Sequence, residues 1–433
     1  MKKLILPLLS LLVLNVFNND LHSKSNKDLE TLGDFKMKLE LRPRYEYVNI
    51  DKNSKDYSDA ITNRTKLSLE SNRMFEVEWL NSEIELISVN NFSYDNYNPS
   101  LINSNNKNFI GEPQQARLNK IYLDFVLSPN TLIKAGRFGI SFDDEKFIGT
   151  NEWYQMTSSL DSLYLSYSPG IGSEFHIGYI FGINTSLEQK NSHSTNSIIT
   201  NGTYSLSNLI KLNGYAYLLS SLSDTYGGKL FGTYKSSKKM SIDYKLEYAY
   251  QGTSSLSNFE ETNKNFINKS DTNPILNTQF YRAGLDINYV NIFFGTNYEV
   301  MDGTKSDDST NGFTTPLSSF NKFNGFSDIF RKQLSGYGDN SNGLSDFNFN
   351  MGFNNKYGYF NFIYHKFDAM KLGKYNSTNL GQEFDIVYKK KIPFIKNISI
   401  LLKGSVYKYG SKESSQINDQ NNIWLQLNYN LFM

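Results

Sequence analysis

Residues 39–49 read LELRPRYEYVN, and their side chains alternate between apolar and charged. One set consists of Leu39, Leu41, Tyr45 and Tyr47, and the other of Glu40, Arg42, Arg44 and Glu46. A repeat of two residues is typical of a β-strand, whose side chains point alternately to opposite faces. The stretch therefore predicts a strand with one face in an apolar environment and the other in water.

The same alternation continues to the end of the chain. It is clear in three further stretches, which read MSIDYKLEYAY (240–250), YRAGLDINY (281–289) and IWLQLNYNLFM (423–433). We find no convincing helical period after the first residues of the chain. The pattern predicts an all-β fold.

The N-terminus has the composition of an export signal. A basic start precedes the apolar run LILPLLSLLVLNVF (4–17), which is too short to span a membrane. We expect a signal peptide over residues 1–23 without a defined cleavage site, and a buried N-terminal helix is the alternative. No later apolar stretch reaches the ~20 residues of a membrane helix. The exported part, residues 24–433, is then either a soluble protein or a membrane β-barrel.

The connections between the strands alternate in length. Short ones lie at 128–130, 169–172, 207–208, 235–239, 290–291, 354–358 and 391–397, and long ones at 94–115, 139–160, 184–197, 252–277 and 302–345. This rhythm is typical of an outer-membrane barrel with short periplasmic turns and long extracellular loops. We predict a transmembrane antiparallel β-barrel of about eighteen strands, with sixteen as an alternative because residues 72–82 also alternate. A soluble β-sandwich is the other alternative.

In such a barrel the apolar face meets lipid and the charged face meets water in the lumen. A basic side chain that faced hydrocarbon at the membrane centre would cost about 2–4 kcal/mol. The predicted location is therefore the outer membrane of a Gram-negative bacterium, with outer-membrane lipid as a partner.

Composition argues against several other functions. The net charge is +1, the chain has no cysteine, and it has only 4 histidines. We find no Gly-x-Ser-x-Gly, His-Glu-x-x-His or Cys-x-x-Cys motif. We therefore expect no enzymatic activity, no cofactor, no metal site and no nucleic-acid partner.

Several stretches resemble the bacterial alginate export family of outer-membrane proteins. They are LELRPRYEYVN (39–49), NRTKLSLE (63–70), ARLNKIYLDF (116–125), LIKAGRFGISFDDEKFIGTNEWYQ (132–155), LDSLYLSYSP (160–169), KFNGFSDIF (322–330), GLSDFNFNMGF (343–353), YHKFDA (364–369) and LGQEFDIVYKK (380–390). The resemblance implies a monomeric barrel of about eighteen strands and, for some members, export of an anionic polysaccharide. The chain departs from the family at Trp153-Tyr154-Gln155, where a Trp-Arg-Gln-like stretch is usual, and at Gly136-Arg137-Phe138, where Gly-Arg-Gln is usual.

Charged residues on the inferred inner face are candidates for lining a pore. The basic ones are Lys38, Arg42, Arg44, Arg64 and Lys66, and the acidic ones are Glu40, Asp243, Glu247 and Asp286. The first two strands should face strands eleven and twelve across the lumen, so a basic wall would lie opposite a more acidic one. Charges along a narrow channel select ions and solutes. The alternative is that these charges only solvate the wall and pair with their neighbours.

The long connection 139–160 is a candidate for narrowing the bore. An empty barrel of this size would be wide, and conducting barrels often fold a loop inward. The residues of interest are Asp143, Asp144, Glu145, Lys146 and Trp153, and we expect the charged ones to meet the basic wall. The alternatives are an exposed outer loop and a Ca²⁺ site, although three consecutive acids lack the alternating spacing of a Ca²⁺ loop.

The sequence thus favours a channel for passive diffusion of small hydrophilic solutes, with a preference for anions. One alternative is an exporter of an acidic, alginate-like polysaccharide. Another is a structural or adhesive barrel that binds through loops 252–277 and 302–345. The last strand has the alternation that barrel-assembly machinery reads, and we expect it to pair with the first strand.

Overall fold

The protein is described here by a computed structural model of its 433 residues. The described residues are 35–51, 57–93, 96–100, 106–170, 172–187, 192–256, 277–303, 312–331, 341–372, 377–410 and 418–432. The predicted signal peptide and most of the long connection 252–277 lie outside these residues.

Eighteen antiparallel strands form one sheet. They are β1 (Phe35–Ile50), β2 (Ser58–Ser71), β3 (Leu80–Asn91), β4 (Gln115–Ser128), β5 (Thr131–Phe138), β6 (Ser159–Gly170), β7 (Ser173–Asn184), β8 (Ser192–Ser205), β9 (Lys211–Leu219), β10 (Ser223–Lys235), β11 (Met240–Gly252), β12 (Asn277–Tyr289), β13 (Ile292–Met301), β14 (Leu344–Asn355), β15 (Gly358–Asp368), β16 (Asn379–Lys391), β17 (Ile398–Tyr409) and β18 (Gln420–Phe432). A 3₁₀ turn, Met74–Glu76, lies between β2 and β3. No helix in this part of the chain has the length and apolar composition of a membrane span.

The sheet closes on itself through β1. This strand pairs with β2 on one side and with β18 on the other, where Leu39 lies opposite Leu431 and Tyr47 opposite Ile423. A closed ring has no unpaired strand edge, so every strand satisfies its backbone hydrogen bonds with two neighbours. The predicted barrel of about eighteen strands is confirmed, and the sixteen-strand alternative is wrong.

The two faces of the barrel follow from the alternation in the sequence. In β1 the side chain of Arg44 is 2% exposed, whereas the neighbouring Tyr45 is 36% exposed. The exposed positions of the other strands are likewise rich in large apolar residues, such as Leu163, Tyr248 and Phe294. Charged side chains therefore point into the ring, and carbon covers its outside.

Two details of the strand boundaries differ from the sequence analysis. β8 begins at Ser192, inside the predicted long connection 184–197. Its first residues, SHSTNS, lack the apolar alternation that marks the other strands, so the sequence gives no signal for this part. The alternation at 72–82 does not mark one continuous strand, because residues 74–76 form the 3₁₀ turn that leads into β3.

Candidate constriction inside the barrel

Two connections fold into the ring and touch each other. We call residues 139–158, between β5 and β6, the first inner segment, and residues 312–331, between β13 and β14, the second inner segment. Backbone hydrogen bonds join them, from Gly149 N to Leu317 O at 2.8 Å and from Ser319 N to Glu145 O at 3.0 Å. The two segments therefore form one body inside the barrel.

Arg42 fastens the first inner segment to β1. Its guanidinium donates to the carbonyl oxygen of Glu152 at 2.8 Å, to the carbonyl of Tyr154, and to Oε1 of Gln155 at 2.8 Å. The amide of Gln155 in turn donates to the carbonyl of Arg42 at 3.0 Å. An arginine suits this role because its planar fork offers five donors in fixed directions.

Arg44 continues the same attachment one step along β1. Its guanidinium carbon lies 4.4 Å from the ring centroid of Trp153, and it also donates to the Trp153 carbonyl. The same side chain bonds Gln426 at 2.8 Å and the carboxylates of Glu46 and Glu112, both at 3.0 Å. Its charge is therefore shared among partners from four parts of the chain, which are β1, β18, the connection between β3 and β4, and the first inner segment.

Glu112 belongs to the connection between β3 and β4, and sequence analysis missed it. It is fully buried and accepts a hydrogen bond from the backbone N–H of Gln155 at 2.7 Å. Burial and the nearby charge of Glu46 raise the pKa of Glu112 to about 8, although Arg44 acts in the opposite direction. A single carboxylate in a polar connection gives no sequence signal for this contact.

Arg64 and Lys66 of β2 meet Glu152 of the first inner segment. The carboxylate of Glu152 lies 3.1 Å from Arg64 Nη1 and 2.8 Å from Lys66 Nζ, and Arg64 also pairs with Glu40 at 2.5 Å. Burial would raise the pKa of Glu152, but the charges of Lys66 and Arg64 outweigh it and lower the pKa to about 2. Lys38, nearer the short-turn end, pairs with Glu70.

The acids at the start of the first inner segment meet other bases than expected. Asp143 pairs with Lys229 of β10, and Asp144 pairs with Arg282 of β12 at 2.7 Å. Glu145 makes a long contact to Lys322, at 3.8 Å. Burial would raise the pKa of Asp144, but the charge of Arg282 outweighs it and keeps that pKa well below its usual value.

The expectation that these acids face the basic wall of β1 and β2 is therefore wrong. The segment leaves β5 and crosses the lumen first, and it returns to β1 and β2 only at Glu152–Gln155. Asp143 and Glu145 have positive φ angles of 54° and 69°, so the chain turns sharply where the acids lie. The residues at these turns are not glycines, so the sequence does not predict the turns.

Lys146 ties both inner segments to β13. Its ammonium lies 2.5 Å from Glu299 and 3.0 Å from the side-chain oxygen of Asn324, which belongs to the second inner segment. Two of the remaining acids expected on the inner face also have partners in the wall. Glu247 pairs with Arg282 at 2.5 Å, and Asp243 accepts from Thr233 at 2.6 Å and from Asn288 at 2.8 Å. Asp286 lies opposite Gly295 on the adjacent strand.

Lys403 of β17 was also missed, and it holds the second inner segment. Its ammonium lies 3.4 Å from the ring centroid of Phe326 and 3.8 Å from that of Trp153, and it donates to Asn321. Lys403 is the one charge in the strand-like stretch ISILLKGSV, at an inward position. That isolated charge is the signal that could have identified it.

Two carboxylates of β16 bind the backbone of the second inner segment. Glu383 accepts from the N–H of Ser327 at 2.7 Å, and Asp385 accepts from the N–H of Phe326 at 3.1 Å. Gly325 has a φ of 84°, and a Cβ there would lie 2.5 Å from the Glu383 carboxylate. Only glycine fits this turn without moving the carboxylate.

Aromatic rings fill the space between the two segments and the wall. Phe147 packs against Phe280 at 5.3 Å and against Phe313 at 6.0 Å between ring centroids, and Phe330 packs against Phe367 at 4.9 Å. The barrel is thus narrowed by a packed body rather than by a loose loop. Within the described residues there is no group of three or more side chains that could hold a metal ion.

No family model and no curated protein matches the chain. Solved structures do match. OpdO of Pseudomonas aeruginosa has a TM-score of 0.66 at 14% identity and covers 94% of this chain and 99% of its own. OccAB2 of Acinetobacter baumannii has a TM-score of 0.67 at 11% identity, with 93% and 99% covered. OpdK of P. aeruginosa, solved with vanillate, has a TM-score of 0.69 at 10% identity, with 92% and 99% covered.

The resemblance to the alginate export family is therefore wrong. The similar solved structures are Occ and Opd outer-membrane porins with barrels of eighteen strands. At 10–14% identity this likeness identifies the fold and no more. The motifs taken from the sequence are short alternating stretches, and such stretches occur in any barrel of this architecture.

Proposed function

We propose that the protein is an outer-membrane channel through which small hydrophilic solutes diffuse passively, with a preference for anions. The observation that carries this proposal is the closed ring of eighteen strands, which is apolar on the outside and charged on the inside. The two inner segments are attached to its wall and narrow its lumen. A barrel of this size without inner segments would leave a wide aqueous hole. In the proposed channel the inner segments would narrow the passage, so that solutes are selected by size and charge.

The ring also fixes an orientation and a location. Short turns lie at one end and the long connections at the other, so the short turns face the periplasm and the long connections face outward. The outer apolar band lies in outer-membrane lipid. Because β1 closes on β18 of the same chain, one copy completes the barrel, and we propose a monomer inserted by the barrel-assembly machinery.

The preference for anions is supported by two ion pairs in which the base is more exposed to water than the acid. Lys120 is 29% exposed while its partner Glu83 is 7% exposed, and Lys38 is 41% exposed while Glu70 is 23% exposed. The acids lie behind the ammonium groups, so a passing solute meets positive charge first. The order is reversed at Arg64, Lys66, Lys229 and Arg282, which are less exposed than their partners Glu40, Glu152, Asp143 and Asp144.

Planar-bilayer recording with purified protein tests the proposal. We expect discrete single-channel steps and a reversal potential under a salt gradient that favours anions. Liposome swelling with neutral sugars, amino acids, uronic acids and vanillate would then define the solute class; vanillate is included because OpdK was solved with it. The absence of steps in a correctly folded preparation would contradict the channel.

An adhesive role has less support. The part of connection 302–345 at residues 312–331 lies inside the barrel, where it cannot bind a partner outside the cell. The hypothesis of polysaccharide export rested on the family resemblance, which is wrong. We propose no enzymatic activity, because the inner side chains that the structure describes serve to attach the two inner segments.

A further inference from the structure

Positive charge is concentrated on one half of the short-turn end. The turns that join β8 to β9, β10 to β11, β12 to β13, β14 to β15 and β16 to β17 follow one another around the ring. These turns and the strand ends beside them contain Lys211, Lys235, Lys238, Lys239, Lys356, Lys389, Lys390, Lys391 and Lys396. The same stretches contain no Asp or Glu. We call this set the lysine rim.

The lysine rim is not neutralised by the rest of the structure. Within the described residues no carboxylate forms an ion pair with any of its members, whereas Lys38 and Lys408 elsewhere on the barrel do have such partners. The turn between β2 and β3 on the other half has the opposite composition, with Arg73 beside Glu76 and Glu78. An uncompensated patch of like charge is costly unless anions offset it.

Apolar and aromatic side chains lie among these lysines. Phe394 is 93% exposed at the tip of the turn between β16 and β17, and Ile395 beside it is also exposed. Tyr388 donates its hydroxyl to the carbonyl of Tyr357 at 2.7 Å, which links β16 to the neighbouring turn. Tyrosines with one apolar and one wet end mark the boundary between hydrocarbon and headgroups in membrane barrels.

The outer face of β16 gives the order of these groups along one strand. Phe384 and Ile386 are exposed on the outside, Tyr388 follows, and Lys390 is the next residue on that face. The sequence of hydrocarbon, tyrosine and ammonium group is the one expected where a strand passes from lipid tails to headgroups. Lys389 pairs with Tyr359, so Lys390 lies level with the turn that contains Lys356.

We propose that Lys356, Lys390 and Lys396, with Tyr357 and Phe394, bind the phosphate headgroup of an anionic phospholipid in the periplasmic leaflet. This inference rests on the proposed function, because that function places the short-turn end at the periplasmic leaflet. The lysines contact the phosphate, and Tyr357 and Phe394 pack beside the headgroup. A soluble acidic partner fits less well, since the charge on Lys390 lies directly above side chains that face lipid.

The test compares two sets of lysines on the full-length protein. The rim variant is K356Q/K390Q/K396Q, and the matched control is K366Q/K371Q/K408Q, which removes three lysines near the long-loop end. Native mass spectrometry in detergent with added dioleoylphosphatidylglycerol or dioleoylphosphatidylcholine measures binding. A lysine at an anionic membrane surface contributes about fivefold in affinity, so we expect the rim variant to lose at least about tenfold for phosphatidylglycerol. The control variant should bind as the wild type does.

Three results would overturn the inference. They are equal binding of both lipids by the wild type, equal loss in both variants, and displacement of phosphatidylglycerol by an equal concentration of inorganic phosphate. Bilayer recording of the rim variant separates this inference from the channel. Its conductance should match the wild type, because the three lysines lie far from the inner segments. Lipid binding without conductance in any variant would contradict the channel alone.

Discussion

The guanidinium of Arg44 lies 4.4 Å from the ring centroid of Trp153, although the two residues are 109 positions apart in the chain. One belongs to the first strand and the other to a segment that has crossed the lumen and returned. This contact, with the hydrogen bonds of Arg42, makes the first inner segment part of the barrel wall. In the proposed channel, conductance and selectivity would therefore depend on how Arg42 and Arg44 hold this segment.

Replacing Arg42 with Ala should raise single-channel conductance. The change removes hydrogen bonds from a charged donor to Glu152, Tyr154 and Gln155, each of which contributes about 1.5–3 kcal/mol. The first inner segment would then leave its position for part of the time. Planar-bilayer recording measures the change, and K38A is the control because Lys38 pairs with Glu70 near the short-turn end. An unchanged conductance in R42A would show that this segment does not limit the bore.

Replacing Glu152 with Gln should shift the reversal potential further toward anions. Its carboxylate is the exposed acid beside Arg64 and Lys66, so the change leaves two bases without their shared partner. One charge at about 8 Å from a passing ion contributes about 2 kcal/mol to the ion's energy at an effective dielectric constant near 20, and water in the bore reduces this severalfold. E174Q, at the short-turn end, is the control. An unchanged reversal potential in E152Q would mean that Glu152 lies outside the conducting path.

The selectivity of the wild type should not change with pH between pH 7 and pH 4 through Glu152. Its pKa is lowered to about 2, so the carboxylate keeps its charge throughout this range. Reversal potentials at several pH values measure this directly. E152Q should give the same flat profile at a more anion-selective level, and convergence of the two proteins near pH 4 would contradict the lowered pKa.

Glu112 should make the folded barrel less stable as the pH rises from about 4.5 to about 8. Its folded-state pKa is about 8, so in this window the folded protein keeps a proton that the unfolded chain has lost. The temperature at which the barrel loses its compact gel mobility, measured across this range, should fall with pH. In E112Q the fall should be smaller, because Gln has no proton to lose. Equal slopes would show that Glu112 titrates normally.

Deleting residues 423–433 should prevent barrel formation. β18 pairs with both β1 and β17, and its loss leaves two unsatisfied edges in the apolar layer. We expect a protein that never shows heat-modifiable mobility on gels. A deletion of residues 262–270 in the long connection between β11 and β12 is the control and should still fold. A heat-modifiable truncation would contradict the pairing.

Sequence alone predicted the barrel well, and the reason is local. Alternation between Tyr45 and Arg44 assigns each side chain to a face, because a strand repeats every two residues. Connection lengths then order the strands around the ring. The start of β8 was not predicted from the sequence, because its residues are small or polar on both faces.

The course of the inner segments could not be predicted in the same way. Asp143 and Asp144 meet Lys229 and Arg282 only because the chain turns with positive φ at a residue that is not glycine. Charge type was informative, but the choice of partner depends on long-range packing. The motifs assigned to the alginate export family were misleading for a related reason, because alternating stretches occur in β-strands in general.

The attachments of the inner segments also have a mechanical meaning. A barrel of eighteen strands has a thin wall, and lateral pressure in a bilayer would tend to flatten its circular cross-section into an oval. The first inner segment is tied to β1 through Arg42 and to β12 through Asp144 and Arg282, and the second is tied to β16 through Ser327 and Glu383. Because backbone hydrogen bonds join the two segments, they connect opposite sides of the barrel and resist its deformation. The shape of the bore should therefore be the same in thin and thick bilayers.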